Sequence, residues 1–193
     1  MQAGLSVMSE KGIDAATMQE IAERADVGAG TVYSYFKSKD ELAVSVIEHV
    51  MHDLALRIEA VGNRFADPAQ VYAYGVRTVI EAATSDLRWR QLLNRPEVIA
   101  EAMFRRHGPF AIRDLENAAR AGRFTFADAR LTFKLACYAI VGVSLAIVQG
   151  DMPAEVIEPA VVRLLCMAGL SEADAGELAR RPRPPLALEA PVA

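Results

Sequence analysis

Residues 17–42 read TMQEIAERADVGAGTVYSYFKSKDEL, and this stretch decides the fold of the first part of the chain. Thr17 and Glu20 have the spacing of a capping box, in which each side chain accepts a hydrogen bond from the other residue's backbone N–H, so a helix begins there. Residues 27–29 interrupt it, and a second short helix is predicted over residues 30–36. Two short helices joined by about three residues are the helix-turn-helix pattern of DNA-binding proteins.

The second short helix has one apolar face and one face of small or hydroxyl-bearing residues. Val32 and Phe36 are four residues apart and therefore point inward on the same side. The positions that face outward are Gly30, Thr31, Tyr33 and Ser34. A major groove accepts such a helix closely, and Lys37 and Lys39 follow where phosphates would pass. Lys39 also lies near the N-terminus of the next helix, whose free N–H groups attract anions.

The chain from Val7 to Ile47, and residues 21–42 above all, closely resembles the DNA-binding signature of the TetR family of one-component bacterial regulators. The resemblance implies a homodimer that binds a near-palindromic operator with one helix-turn-helix per half-site, usually as a repressor released by a small molecule. It implies a base-facing set, which is Ala29, Gly30, Thr31, Tyr33 and Ser34. It also implies a phosphate-contacting set, which is Thr17, Tyr35, Lys37 and Lys39. Gly28 departs from the Ser that the family frequently has at the cap of the recognition helix.

Each of these residues also has a purely structural interpretation. Tyr33 and Tyr35 are compatible with half-buried packing, Lys39 with a solvated side chain, and Thr17 with an N-cap alone. It is their combined spacing that favours DNA binding.

The rest of the chain is also predicted to be helical, because apolar residues recur at helical spacing and strand signals are scarce. We expect an all-α fold of about nine helices: a helix-turn-helix domain over residues 1–46, a helical ligand-binding and dimerisation domain over 47–181, and a loose proline-rich tail over 182–193. The helices are predicted at residues 2–11, 17–26, 30–36, 38 to before 68, 68–84, 87–93, 96–122 with a kink or a split at Gly108-Pro109, 126–149 and 153–167, with a further turn or two at 172–180.

The helices predicted at 126–149 and 153–167 are too apolar around their circumference for surface helices. Either both lie deep in the monomer, or part of each meets a second subunit. The dimer is favoured, because small residues in the first of them permit close helix approach and because symmetry fits an operator with two half-sites. The residues expected at the interface are Ile140, Ser144, Ile147, Ile157, Val161, Leu164 and Leu165.

A ligand pocket is expected among the helices between residue 38 and residue 149. Its aromatic and soft apolar lining would come from Tyr72, Tyr74, Trp89, Met103, Phe104, His107, Phe110 and Phe133. The handles for an anion would be Arg88, Arg105, Arg106 and Arg113. Core packing and solvated arginines are the alternatives for these two groups.

Composition limits the other classes of function. The net charge is −4, and residues 1–50 hold four basic side chains against eight acidic ones, so DNA binding must come from the placement of charge. No enzyme, metal-ion or cofactor site is expected: the usual catalytic motifs are missing, and His49 and Asp53, four residues apart, have no evident third ligand. The acidic balance favours an alternative, a small-molecule-binding or scaffold protein whose DNA-binding half has lost its function.

The expected location is the cytoplasm, and both cysteines, Cys137 and Cys166, are expected to be reduced core residues. No signal sequence is evident, and the longest uncharged apolar run, residues 135–148, is shorter than the ~20 residues of a membrane span. The first helix is short and Gly4 weakens it. In the family that residues 7–47 resemble, a few basic residues typically precede this helix, and that basic arm is missing here. The resemblance therefore implies an in-frame upstream segment rich in Arg or Lys.

Overall fold

The computed structural model describes residues 1–85, 93 and 95–186, and all regular elements in these ranges are helices. The helices are α1 (Gln2–Lys11), α2 (Met18–Arg24), α3 (Ala29–Tyr35), α4 (Lys39–Gly62), α5 (Pro68–Ser85), α6 (Pro96–Arg106), α7 (Gly108–Arg120), α8 (Ala129–Gln149), α9 (Ile157–Met167) and α10 (Glu172–Arg180). A short 3₁₀ turn, Ala154–Val156, precedes α9. The predicted all-α fold is confirmed. The helix predicted at 87–93 lies outside the described residues except for Leu93, which is buried.

Helix α1 packs against α2 and against the start of α4, and α2 packs against α3. The predicted capping box is present, because Thr17 and Glu20 exchange side-chain and backbone hydrogen bonds. Gly4 has a packing role that the sequence did not suggest: a Cβ atom there would lie 3.0 Å from side-chain atoms of both Leu42 and Val46. The missing side chain lets α1 approach α4 closely, while Met8 is fully buried beside it.

Helix α5 is the centre of the second domain, since it contacts α4, α7, α8, α9 and α10. Asp67 caps it by accepting a hydrogen bond from the backbone N–H of Ala69. The same carboxylate also accepts hydrogen bonds from Arg123 and Arg181, so it ties two later segments of the chain to the start of α5.

At Gly108-Pro109, where the sequence predicts a kink or a split, the helix is split into α6 and α7. His107 ends α6 and is the residue from which α7 begins. Pro109 has no backbone N–H to continue the hydrogen-bond ladder of α6, and a helix tolerates proline only in its first turn. The break therefore falls where the sequence requires it, and it sets His107 at the corner.

Helix α8 has one buried and one exposed apolar face. Its exposed large side chains are Leu131, Leu135 and Tyr138, each between 49% and 58% exposed. By length and composition α8 could cross a membrane, contrary to the expectation from the sequence. The same two properties describe a core helix, and α8 packs against α5, α6, α7 and α9.

The structure corrects most of the predicted dimer interface. Five of its seven residues are buried in the core of the single chain: Ile140, Ser144, Val161, Leu164 and Leu165. They lie on the sides of α8 and α9 that pack inward, so they are not available to a second subunit. Only Ile147 and Ile157 are partly exposed. The apolar pattern identified the right helices but not which of their faces is inside.

The tail predicted to be loose is packed over its described part. Arg183 pairs with Glu81 on α5, and Leu186 packs against the core. An ion pair and an apolar contact therefore order a segment whose prolines had suggested a loose chain. Residues 187–193 lie outside the described residues.

Gly169, after α9, provides a test of backbone packing. It has a φ of +95°, and a Cβ atom there would lie 2.1 Å from the carbonyl oxygen of Thr125. Gly150, after α8, has a similar φ of +83° but open space around it. Gly150→Ala should cost about 1–2 kcal/mol of unfolding free energy through backbone strain alone. Gly169→Ala should lose clearly more unfolding free energy than Gly150→Ala. Urea denaturation measures both losses, and equal losses would contradict the close contact with Thr125.

Candidate nucleic-acid interface and ligand cavity

Helix α3 places the predicted base-facing residues on the surface. Gly30, Thr31, Tyr33 and Ser34 are exposed, and Ala29 is partly buried. Val32 is buried and anchors the helix. Gly28 is the N-cap and gives no side-chain hydrogen bond, and a Cβ atom at Gly28 or Gly30 would meet nothing within 4 Å. The outward face of α3 is therefore open to close approach by another surface.

The four predicted phosphate-contacting residues come from three elements: Thr17 caps α2, Tyr35 ends α3, Lys37 follows α3, and Lys39 begins α4. Tyr35 is 75% exposed. Lys37 is exposed, and within the described part of the chain no carboxylate pairs with its ammonium group. The Nζ atom of Lys39 donates to the carbonyl oxygen of Asp14, and the hydroxyl of Thr17 is engaged in the capping box. Lys37 and Tyr35 are thus the freer of the four side chains.

The acidic excess of residues 1–50 is largely paired in the fold. Glu10 pairs with Arg24, and Glu20 with Lys11. Three arginines of the second domain neutralise further carboxylates, because Arg95 contacts Asp14 and Asp40 while Arg105 and Arg106 both contact Glu48. Hydrogen bonding to Arg95 lowers the pKa of Asp14, and hydrogen bonding to Arg24 lowers the pKa of Glu10 to about 2. Charges distant in the sequence therefore offset the acidic balance of the DNA half.

A cavity lies between α4, α5, α6, α7 and α8. Five of the eight predicted pocket residues line it: Tyr72, Met103, His107, Phe110 and Phe133. The space open to water is about 10 Å³, close to the minimum that one water molecule needs. Any larger ligand must therefore displace side chains of the lining.

The other predicted pocket residues lie elsewhere. Tyr74 is buried with its ring edge-on to Phe65, outside the cavity lining. Phe104 stacks on the outer side of Phe133 and lies beneath Lys134, whose Nζ atom is 4.6 Å from its ring centre. Trp89 falls outside the described residues, as does Arg88. Arg105 and Arg106 are engaged by Glu48 and do not line the cavity.

The cavity has a polar end that the sequence did not predict. Glu59 of α4 and Asp114 of α7 both line it. The guanidinium of Arg113 bridges these two carboxylates. The Nη2 atom of Arg113 lies 2.6 Å from Oε2 of Glu59 and 2.8 Å from Oδ1 of Asp114. No local motif signals this group, because its two carboxylates are far apart in the sequence and only the packing of α7 on this part of the core brings them together.

Burial controls protonation in the cavity. It lowers the pKa of His107 to about 4, although the nearby Glu59 works in the opposite direction, so the imidazole is neutral at pH 7. Burial also raises the pKa of Asp114, while the hydrogen bond from Arg113 opposes the rise. Burial raises the pKa of Tyr72, whose hydroxyl has no hydrogen-bond partner. The cavity thus holds hydrogen-bonding groups that the protein leaves unused.

Two family models match the chain. The model described as bacterial regulatory proteins, tetR family, matches residues 1–46. The model described as tetracyclin repressor-like, C-terminal domain, matches residues 67–181, which is more than half of the chain. Among curated relatives, the repressor KstR of Mycolicibacterium smegmatis is 29% identical over 53% of this chain and 50% of its own length. The chain spans between about a quarter and about half of the length of the curated relatives that it matches.

Solved structures match over more of the chain than the curated relatives do. RolR in complex with resorcinol has a TM-score of 0.87 and 26% identity, covering 96% of this chain and 93% of that one. FadR of Bacillus subtilis in complex with stearoyl-CoA has a TM-score of 0.66 at 19% identity, covering 87% and 95%, and this likeness shows the fold alone.

The neutral state of His107 predicts a pH dependence of stability. The unfolded imidazole takes up a proton near pH 6.5 and the folded one only near pH 4, so between these values the unfolded state binds more protons. Lowering the pH from 7 to 5 should therefore remove about 2 kcal/mol of unfolding free energy through His107. Urea denaturation at pH 7 and pH 5 gives the change in unfolding free energy for the wild type and for His107→Phe. The wild type should lose about 2 kcal/mol more than the variant.

The exposed His52 provides the matched control. His52→Gln should keep the pH dependence of the wild type. If His107→Phe loses as much stability as the wild type between pH 7 and pH 5, the imidazole is not neutral in the fold.

Proposed function

The chain belongs to the tetR family of bacterial regulatory proteins, and from this premise we propose that it is a cytoplasmic transcriptional repressor that binds a palindromic operator as a homodimer. A small, largely apolar ligand entering the cavity would release it from DNA. The observation that carries the DNA-binding part of the proposal is the open outward face of α3, with Thr31, Tyr33 and Ser34 exposed on a helix that Val32 anchors. A helix with that face fits the major groove.

The proposed roles divide between base and phosphate contacts. Ala29, Gly30, Thr31, Tyr33 and Ser34 would read base edges, and Thr17, Tyr35, Lys37 and Lys39 would hold the phosphates. The alternative of a scaffold protein with a non-functional DNA half depended on the acidic balance of residues 1–50. The pairing of Asp14, Asp40 and Glu48 with arginines removes that support.

The proposed dimer uses the outward face of α8. Leu131, Leu135 and Tyr138 are exposed there, and Gly142 on the same helix has nothing within 4 Å of the position of a Cβ atom. Apolar side chains beside a small residue allow two helices to approach closely. A two-fold dimer through this face would present two copies of α3 to two half-sites.

The proposed effector site is the cavity between α4 and α8. A lining of aromatic and aliphatic side chains with a few polar groups is typical of small-molecule sites. Ala55, Ile58 and Glu59 of α4 line it, and the first turns of the same helix pack in the DNA-binding domain. A ligand that shifts α4 would therefore change the position of α3, and with it the separation of the two reading helices in the dimer. The resorcinol bound by RolR is an effector-sized ligand in a neighbour of the same fold.

Lys37 tests the phosphate contact. Operator duplexes would first be selected from a random-sequence library with the full chain, and binding would then be measured by fluorescence anisotropy between 50 and 200 mM salt, the range over which phosphate contacts change affinity strongly. Lys37→Gln should weaken binding to all duplexes alike and lower the salt slope by about one unit, since one phosphate contact is lost. Lys134→Gln removes the same charge from α8 and should leave the slope unchanged. A slope that Lys37→Gln does not alter would contradict the contact.

Leu135 tests the dimer. Leu135→Glu would place a carboxylate in an apolar interface, which costs several kcal/mol, so light scattering should find folded monomers at micromolar concentration. Leu56→Glu changes an equally exposed leucine on α4 and should remain dimeric. Val161 is unsuitable for this test because it is fully buried in the single chain. A dimeric Leu135→Glu protein, or a monomeric wild type, would contradict the proposed interface.

A further inference from the structure

We infer that the effector is a compact, uncharged hydroxyarene, whose ring lies against the aromatic side chains of the cavity and whose hydroxyl groups bond to Tyr72, His107 and Asp114. This inference rests on the proposed function, in which the cavity is the effector site. It adds the chemical class of the ligand and the residues that select it.

Two polar side chains in the cavity lack partners. Tyr72 is 2% exposed, and its hydroxyl makes no hydrogen bond. His107 is also buried, and no hydrogen bond from the described residues reaches its ring nitrogens, although these nitrogens, unlike the Tyr72 hydroxyl, keep some exposure. A buried polar group without a partner is costly, so a ligand that supplies the missing bond gains affinity at the Tyr72 hydroxyl, and a nitrogen of His107 is available for a second bond. A hydroxyl group supplies them well, because it both donates and accepts.

Asp114 offers a third contact. Both hydrogen bonds that Arg113 donates to this carboxylate go to its Oδ1 atom. Oδ2 accepts none from the described residues, so it can take a bond from a donor on the ligand. A hydroxyl donor on a carboxylate oxygen forms one of the stronger kinds of hydrogen bond.

The charge of the cavity disfavours an anion. Glu59 and Asp114 share the single guanidinium of Arg113, and His107 carries no charge at neutral pH. The group therefore has an excess of one negative charge when both carboxyls are ionised. A ligand carboxylate or phosphate would add to that excess of negative charge.

The size and shape of the cavity favour a small flat ring. The space open to water is only about 10 Å³, so each added ligand atom requires further side-chain movement. Met103 is flexible and Phe110 is only partly buried, so these two side chains can move most readily. A rigid ring loses little conformational freedom on binding, whereas a long acyl chain loses much and needs far more room.

The aromatic wall is consistent with such a ring. Phe133 is fully buried, and the His107 ring stacks on it with centres 6.0 Å apart and 30° between the planes. Aromatic rings prefer offset or edge-on neighbours at such separations. The resorcinol in the RolR complex is a benzene ring with two hydroxyl groups, so it belongs to the inferred class of ligand.

Calorimetric titration of the full chain at pH 7.5 tests the ligand class. The probes are resorcinol and phenol as uncharged hydroxyarenes, benzoate as an anion of similar size, and stearoyl-CoA as a long acyl ligand. Resorcinol should bind saturably, and benzoate and stearoyl-CoA should bind at least about tenfold more weakly or not at all. If benzoate or stearoyl-CoA binds more tightly than resorcinol, or if neither hydroxyarene binds, the inference is wrong.

Tyr72→Phe tests the selecting residues, since it deletes only an oxygen that has no partner. This variant should melt at the same or a higher temperature than the wild type, yet bind resorcinol roughly tenfold more weakly. Asp114→Asn should also lower the affinity for resorcinol, because the amide is a weaker acceptor than the carboxylate. Tyr138→Phe is the matched control, because its hydroxyl bonds to Glu101 on the surface, and it should bind resorcinol like the wild type. Unchanged binding by both Tyr72→Phe and Asp114→Asn would overturn the assignment.

Failure of this inference is distinguishable from failure of the proposed function. The titration needs no DNA, and the anisotropy measurement on selected duplexes needs no ligand. A chain that binds its selected duplex but no hydroxyarene keeps the proposed function and loses the ligand class. If the chain binds resorcinol through Tyr72 but selects no duplex, the ligand class stands and the proposed DNA-binding function is wrong.

Discussion

The structure depends on the continuous burial of one side of α4. Near the start of this 24-residue helix, Leu42 and Val46 pack against α1, and further along Ala55 and Ile58 form a wall of the cavity. A helix of this length spans about 36 Å and keeps its hydrogen bonds throughout. The same element therefore borders both the helix-turn-helix domain and the cavity, and this shared helix is the basis of the proposed coupling between them.

Electrostatics join the two domains as well. Arg95 precedes α6 and contacts Asp14 and Asp40, while Arg105 and Arg106 reach Glu48 on α4. These pairs are partly exposed, so each contributes little to stability. Their larger effect is on the field around α3, because they reduce the negative charge that a phosphate backbone would meet. Lys37, which has no carboxylate partner among the described residues, then carries more weight than the net charge of −4 suggests.

Helix α8 is apolar on two sides, one buried in the core and one exposed. One side, with Phe133 and Ile140, closes the cavity and the core, and the other exposes Leu131 and Leu135. A helix with a single buried face would carry polar residues on its outer side. The second apolar face is the feature that a dimer would explain, and it is also why α8 has the composition of a membrane span.

The sequence by itself determined the helical fold, the helix-turn-helix and most helix ends, because these depend on contacts within a few residues. The Thr17–Glu20 capping box and the break before Gly108-Pro109 are local, and the structure reproduces both. The resemblance of residues 21–42 to the TetR family added the proposed DNA-contacting face of α3.

Only the tertiary structure decided which face of each apolar helix is inside. Periodicity identifies an apolar stripe, but α8 and α9 are apolar nearly all round, so Val161 and Leu165 could not be distinguished from interface residues until their packing was known. The polar end of the cavity is non-local for the same reason, since Glu59 and Asp114 meet only where α7 packs across the core, and no spacing in the sequence encodes that meeting. The polar end of the cavity therefore comes from the packing of helices rather than from any motif in the sequence.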